Sequence, residues 1–276
     1  MTVVLSGFAD EISPEPDEQL AVLSAESIAH LELRSAWSTN VADLDDAQVA
    51  RFRRLIGEAG VRVSAIGSPI GKIGIEAPLQ PELERLRRVA DVADQLGTNL
   101  VRVFSFFIPQ GHDPRRYRAR VIDRMRALAE LAEERGLVLA HENEKKIYGD
   151  RPDRCADIIT SVGSPALRAT FDAANFVQCG VRPHSDGYGL LRPYLEYVQI
   201  KDALVATGDV VPAGQGDGQV RETLAALRDS GFEGYLSLEP HLAYAGAFGG
   251  FSGPDAFRLA CSALKDLLAD LSMAWQ

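Results

Sequence analysis

The sequence predicts an α/β protein folded as a single (β/α)8 TIM barrel over residues 1–276. Three observations predict it. Short β-branched runs alternate with longer amphipathic segments, eight strand-like runs can be read along the chain, and glycines stand where helical segments give way to strands. A doubly wound open sheet would usually show a glycine-rich nucleotide turn after the first strand, and SGFADEIS is not one.

The first strand is expected near 3–8 (VVLSGF), and Ser13-Pro14 then offers an N-cap and a first-turn proline. The second, near 29–34 (AHLELR), leads to a helix over 46–59 that Gly60 ends. The third, 61–66 (VRVSAI), runs into the turn GSPIGK and a helix over 81–96 that Gly97 ends. The fourth, 99–105 (NLVRVFS), precedes a helix over 117–135 closed by Gly136. Strands five to eight are expected at 137–142 (LVLAHE), 167–172 (LRATFD), 197–201 (YVQIK) and, after Gly231, 235–239 (YLSLE). In the helical segments apolar residues recur at spacings of three and four, so one face is buried, and charge runs such as RLRRVAD are solvated. Glycine-rich stretches at 207–218 and 245–254 follow strands seven and eight. The loop PAGQGDG in the first offers backbone N–H groups to a phosphate, or simply turns the chain, which is the plainer reading.

Bulk properties narrow the function. Hydrophobic residues make up 46% of the chain and charged ones 25%, as in ordinary globular proteins. A net charge of −10 argues against nucleic acid or an anionic membrane as partner, without excluding a local basic pocket. Cys155, Cys179 and Cys261 are odd in number and widely spaced, which speaks against a disulfide framework or a thiolate zinc site. No apolar run reaches the about 18 residues of a membrane span, and the N-terminus lacks the basic start of a signal peptide. The expectation is a cytoplasmic enzyme with a small-molecule partner; the sequence leaves a homo-oligomer open.

In such a barrel the chemistry sits at the C-terminal strand ends. Those ends carry Asp10 and Glu11; Glu32 and Arg34; Lys72 after strand three; Arg102; His141, Glu142 and Glu144; Asp172 and Asn175; Gln199, Lys201 and Asp202; and Glu239 and His241. Side chains alternate faces along a strand. In YLSLEPH, Leu236 and Leu238 suit helix packing, so Tyr235, Ser237 and Glu239 point to the barrel axis. The same parity turns Glu142, Asp172 and Gln199 inward and His141 outward. Three converging carboxylates repel one another, and a divalent cation relieves that. With the amide oxygen of Gln199 they form a hard donor set, suited to Mg²⁺ or Mn²⁺ and still open to Co²⁺ or Zn²⁺. The alternative is a set of buried ion pairs, which needs cationic partners on adjacent strands. Glu32 and Arg34 share an inward face and are expected to pair with each other; Lys72 and Arg102 either touch substrate or pair with Glu32.

The motifs HENE, FDAANF, VQIKD and SLEPH, in this order on four successive strands, resemble the xylose-isomerase-like sugar phosphate isomerase/epimerase superfamily. The likeness extends to GFADEIS, GSPIGK and PAGQGDG. It implies one divalent metal held by Glu142, Asp172, Glu239 and, where the family commonly has His, Gln199. It also implies an acid/base pair, Glu142 and Glu239, working on the proton next to the carbonyl of a keto-sugar, sugar phosphate or cyclitol through an enediolate. Asn175 replaces a His that the family often has three residues after the Asp. Lys201, His241, Lys72, Asn175 and Arg102 are the expected substrate contacts, with pairing to Glu142 or Glu239 the other reading of Lys201. Asp202 is expected to orient its loop, and His184 to lie on a mobile loop of its own, RPHSDG. Isomerisation or epimerisation is the leading expectation. Gln199 resembles the ligand of 3-dehydroshikimate dehydratases, which keeps a dehydratase or lyase in play (inosose-dehydratase-like, or a 3-keto-glycoside eliminase). A non-catalytic sugar-binding protein is the further alternative, and an abasic-site endonuclease conflicts with the acidic charge and five histidines.

Overall fold

The computed structural model describes residues 2–246 and 249–276. Eight strands form the barrel: β1 (Thr2–Gly7), β2 (His30–Leu33), β3 (Arg62–Ile66), β4 (Leu100–Val103), β5 (Val138–Glu142), β6 (Leu167–Asp172), β7 (Leu195–Ile200) and β8 (Tyr235–Leu238). β2 to β8 pair in sequence order and β8 pairs with β1, always in parallel. One isolated parallel bridge, Phe8 to Glu32, joins β1 to β2 and closes the ring. A short ninth strand, β9 (Ala274–Trp275), lies parallel to the start of β1. The helices α1 (Pro16–Ala25), α2 (Asp46–Ala59), α3 (Gln80–Leu96), α4 (Arg118–Glu134), α5 (Pro152–Val162), α6 (Ala173–Gln178), α7 (Val220–Asp229) and α8 (Pro254–Asp270) follow the eight strands in turn. This is the expected (β/α)8 barrel. Among the described residues no helix is long and apolar enough to cross a membrane.

Local chemistry explains the element ends. Asp45 and Gln48 form a reciprocal capping box at the start of α2, and Gly60 ends it at φ 68°, a left-handed conformation that costs glycine little. Ser13 is not the cap of α1. The helix starts at Pro16, and Ser13 Oγ instead accepts from Glu15 N at 3.2 Å while its carbonyl accepts from Gln19 Nε2 at 2.8 Å. A proline needs no N–H partner in the first turn, so Pro16 serves where Pro14 was expected to.

The pleat sorts side chains as the parity argument required. Leu139, Val198, Leu236 and Leu238 belong to the large core between barrel and helices. Ala65, Leu100, Ala140 and Tyr197 form a separate cluster that plugs the barrel interior. Hydroxyls join this plug: Ser64 Oγ lies 2.7 Å from Ser6 Oγ and 2.8 Å from the Tyr197 hydroxyl. One pleat step further along β4, β5 and β7 come Arg102, Glu142 and Gln199, which takes the charged layer to the C-terminal ends of the strands.

Candidate active site

Glu142 ends β5, Asp172 ends β6 and Glu239 follows β8. All three are buried, and a carboxylate oxygen of each lies within 4.8 Å of those of the other two. Strand register sets Asp172 beside Gln199 on β7, and Gln199 beside Ser237 on β8.

Amides fix two of the carboxylates. Asp172 caps α6 by accepting from Asn175 N at 2.8 Å. Asn175 Nδ2 donates to Glu142 Oε1 at 3.1 Å and to the Asn143 carbonyl at 2.9 Å. Asn143 in turn exchanges two hydrogen bonds with the backbone of Asp172, at 2.8 and 2.9 Å, prolonging the β5–β6 ladder with a side chain. Asn175 therefore holds Glu142 in place as well as lining the cavity.

Cations lie among the carboxylates. Lys201 Nζ is 2.8 Å from Asp172 Oδ2 and 2.8 Å from Glu239 Oε2. Arg102 Nη1 is 3.2 Å from Glu142 Oε2 and 3.6 Å from Glu239 Oε1. Arg34 reaches Glu239 Oε1 at 3.1 Å, Asp10 at 2.7 Å and Glu11 at 2.9 Å. The partners that a buried-ion-pair arrangement requires are thus present. The expected Glu32–Arg34 pair is not made: Arg34 lies past the end of β2, over the Phe8 ring at 4.6 Å, and is drawn to the carboxylates beyond it. Glu32 instead accepts from Gln199 Nε2 and Ser237 Oγ, each at 2.8 Å. Arg102 likewise forms its ion pairs with Glu142 and Glu239 and none with Glu32.

These cations do not satisfy the site. Burial, only partly offset by Arg102, pushes the carboxyl of Glu142 up to about 8 and that of Glu32 up to about 7. Burial likewise lifts Asp172 to about 6 against the pull of Lys201. At Glu239 burial acts the same way but loses to Lys201, His241, Arg102 and Arg34, which hold its carboxyl well below the usual range. His241 is itself brought down to about 3 by burial and the nearby Lys201. Lys201 stays charged: burial opposes its charge, and Asp172 and Glu239 outweigh burial. Among the described residues, Gln199 Oε1 is buried and accepts no hydrogen bond. Three carboxyl groups, with Glu142 kept largely protonated near neutral pH by burial, and an orphaned amide oxygen form a donor set that fits a hard divalent cation, which would take the place of that proton. The ammonium of Lys201 is the group that now neutralises two of the three acids.

A cavity of about 180 Å³ opens over this cluster. Lys72, Arg102, Asn175, Lys201 and His241 all line it, as do Glu142 and Glu239. Lys72 also pairs with Glu144 at 3.3 Å and lies over the Phe104 ring at 4.3 Å. His241 donates its backbone N–H to Glu11 Oε2 at 3.1 Å, with Nε2 3.3 Å from Glu11 Oε1. His184 stacks on Tyr188 and is not among the lining residues. His141 faces outward as expected and is buried, with its ring against Gly149. Asp202 gathers the PAGQGDG loop by accepting from Gly214 N, Gly216 N and Gly218 N at 2.8 to 3.0 Å, and from its neighbour Ala203 N at 2.8 Å. Those glycine N–H groups are therefore committed to Asp202. The loop turns the chain, and a Cβ on Gly216 would fall 2.5 Å from Asp202 Oδ1. Of the stretch 245–254, residues 247 and 248 lie outside the described residues.

Sequence reasoning passed over Asn143, Lys145 and Lys146, and gave Glu11 no role. The run HENEKK held the signal for the first three, since polar residues just past an inward strand end stand at the site: Lys145 and Lys146 line the cavity, and Asn143 bonds the backbone of Asp172. Glu11 had no local signal, because its partners lie just past β2 and beyond β8.

A family model described as xylose isomerase-like TIM barrel matches residues 24–267. A 2-epi-5-epi-valiolone 7-phosphate 2-epimerase from Actinoplanes sp. is 35% identical over 187 residues, which are 66% of this chain and 66% of that protein, just under two thirds of its length. Among solved structures, a D-tagatose 3-epimerase-like protein superposes with a TM-score of 0.78 at 15% identity, covering 98% of each chain. The probable 3-DHS dehydratase AsbF of Bacillus anthracis superposes with a TM-score of 0.74 at 17% identity, covering 96% of this chain and 99% of that one.

Proposed function

The chain belongs to the xylose isomerase-like TIM-barrel family, and on that premise we propose that it is a metal-dependent epimerase or isomerase of a polyhydroxylated ketone, either a keto-sugar or a cyclitol. The observation that carries this reading is the convergence of Glu142, Asp172 and Glu239 under one cavity. The Actinoplanes relative supports a cyclitol-type ketone and its phosphate as the substrate class.

Glu142, Asp172 and Glu239 would hold the metal, with the amide oxygen of Gln199 as fourth donor. A bound Mn²⁺ or Mg²⁺ supplies positive charge for a substrate carbonyl as it takes on enolate character. The chain's own residues do the rest. Glu142 and Glu239 stand on β5 and beyond β8, and one removes the proton next to the carbonyl while the other can return one. Asn175 keeps Glu142 oriented through its 3.1 Å hydrogen bond. Arg102, within 3.6 Å of both glutamates, brings positive charge close to the reacting carbons. Lys201 and His241 bind hydroxyls on the Glu239 side.

The test is solvent exchange. Mn²⁺-loaded protein incubated with keto-cyclitols and their phosphates in deuterated water should place deuterium next to the carbonyl. Glu142→Gln and Glu239→Gln should each slow that exchange by about 10²–10⁴-fold. Exchange at the wild-type rate in both variants would overturn the assignment. A dehydratase on the same scaffold is the second reading, favoured by Gln199; it would release water and leave a conjugated enone, seen as new ultraviolet absorption.

A further inference from the structure

The charges around the cavity are sorted by depth. At and beneath its base six acids (Asp10, Glu11, Glu32, Glu142, Asp172 and Glu239, with Glu142 and Glu32 partly or largely protonated near neutral pH) accompany three cations, Arg34, Arg102 and Lys201. Further out the balance reverses. Lys72, Lys145 and Lys146 line the cavity there, with Glu144 as the accompanying acid. Lys72 is nearly buried, Lys145 half-buried and Lys146 exposed, so the ammonium groups run from the interior to the mouth.

The two later lysines are held by structure. Lys146 has φ 67°, uncommon for a residue with a Cβ. Its carbonyl accepts from Ile108 N at 2.8 Å, and the adjoining Ile147 bridges Phe107. Lys145 Nζ donates to Gln178 Oε1, and Gln178 Nε2 is itself anchored on the Gly208 carbonyl at 2.7 Å. Among the described residues neither Lys145 nor Lys146 has a carboxylate within ion-pairing distance. Two lysines on a pinned turn, facing a cavity and lacking acidic partners, are a charge arrangement completed by an anion.

We propose that Lys145 and Lys146, with Lys72, form a subsite for the phosphate of a phosphate-monoester substrate, whose ketone end lies over Glu142 and Glu239. This rests on the reading of the site given above and adds the chemistry of the substrate's far end. A phosphate monoester carries about −1.5 to −2 charge near neutral pH, which suits an ammonium cluster better than a single carboxylate does. The PAGQGDG loop does not compete for this role, because Asp202 already takes its glycine N–H groups.

The test uses inorganic phosphate and metal-free protein, so that its result is independent of the metal and of turnover. Phosphate is titrated in chelator at fixed ionic strength and followed by ³¹P line broadening, with acetate as the competing anion. The wild type should bind phosphate at least about tenfold more tightly than acetate. Lys145→Gln/Lys146→Asn should lose at least about tenfold of the phosphate affinity while keeping the wild-type melting temperature; Asn tolerates the left-handed backbone at 146. Lys145→Ala with Lys146 intact should show an intermediate loss. Equal binding of phosphate and acetate, no phosphate binding, or unchanged affinity in the double variant would each overturn the subsite. A failed deuterium-exchange assay beside a positive phosphate titration would instead overturn the epimerase reading alone.

Discussion

Replacing Lys201 with Met separates the two roles available to that ammonium. It lies 2.8 Å from one oxygen of Asp172 and 2.8 Å from one of Glu239. At an effective dielectric of about 20, each contact amounts to about 6 kcal/mol of Coulomb attraction, much of it offset by the cost of burying the ammonium. Removing one partner of such a buried set typically costs about 3–5 kcal/mol. Lys201→Met should therefore lower the metal-free melting temperature by roughly 10 °C for a chain of this size. The same deletion removes the group that a divalent cation has to displace. Calorimetric titration should then show Mn²⁺ binding to Lys201→Met at least about tenfold tighter than to wild type, a gain of about 1.4 kcal/mol. Added Mn²⁺ should also raise the variant's melting temperature more than the wild type's. A variant that melts like wild type without metal, or binds Mn²⁺ more weakly, would refute the idea that Lys201 is the counter-ion of Asp172 and Glu239.

Three further outcomes follow from the geometry. Asn175→Ala removes the amide that holds Glu142, and Mn²⁺ affinity should fall about 10–100-fold by calorimetry with little change in fold. In chelator, the protein should lose stability as pH rises from about 6.5 to 8. Glu142 and Glu32 have folded values of about 8 and 7, above the ordinary 4.5 of the unfolded chain, so the protons they hold stabilise the folded state and that stability is lost as pH rises through this window. The buried histidines oppose this trend only at lower pH, since His141 and His241 lie near 4 and 3 in the folded chain. Thermal melts should show a drop of a few degrees that saturating Mn²⁺ removes, and a flat or rising profile without metal would contradict it. Asp202→Ala leaves the N–H groups of Gly214, Gly216 and Gly218 without their acceptor and should cost at least about 3 kcal/mol in denaturant unfolding, with new proteolytic cleavage within 212–218.

Much of the site was legible because strand parity is a strong local rule. Once β5, β6, β7 and β8 are located, alternation alone turns Glu142, Asp172, Gln199 and Glu239 inward. The cations were harder. Arg34 and Glu32 share a face, yet each is taken by partners that no local pattern reveals: Arg34 by Asp10, Glu11 and Glu239, and Glu32 by Gln199 and Ser237. Lys201 was read as touching substrate or pairing with Glu142 or Glu239; it lines the cavity and lies between Glu239 and Asp172, the second of which no local pattern named. Glu11 shows the limit most clearly. It accepts from Ser252 Oγ at 2.9 Å across 241 positions, and a contact of that span leaves no periodic trace in the sequence. Ser13 failed for the opposite reason: its cap signal was locally sound, but Pro16, three residues later, was the better helix start.

The seam between β1 and β2 has a consequence for motion. Every other junction in the ring has a backbone ladder, apart from the single paired position between β3 and β4, whereas β1 and β2 share one bridge near their upper ends. Lower down, β9 occupies the free edge of β1, with Gln276 exchanging hydrogen bonds with Val3 and Leu5. Across the top the closure is made by Arg34, a side chain that grips Asp10 and Glu11 on one side of the seam and Glu239 beyond it. The barrel is thus buckled shut by a residue that also pairs with Glu239 in the candidate site. Whatever tightens Arg34 on Glu239 also tightens the ring, so amides along this seam should exchange with solvent more slowly when the pocket is filled.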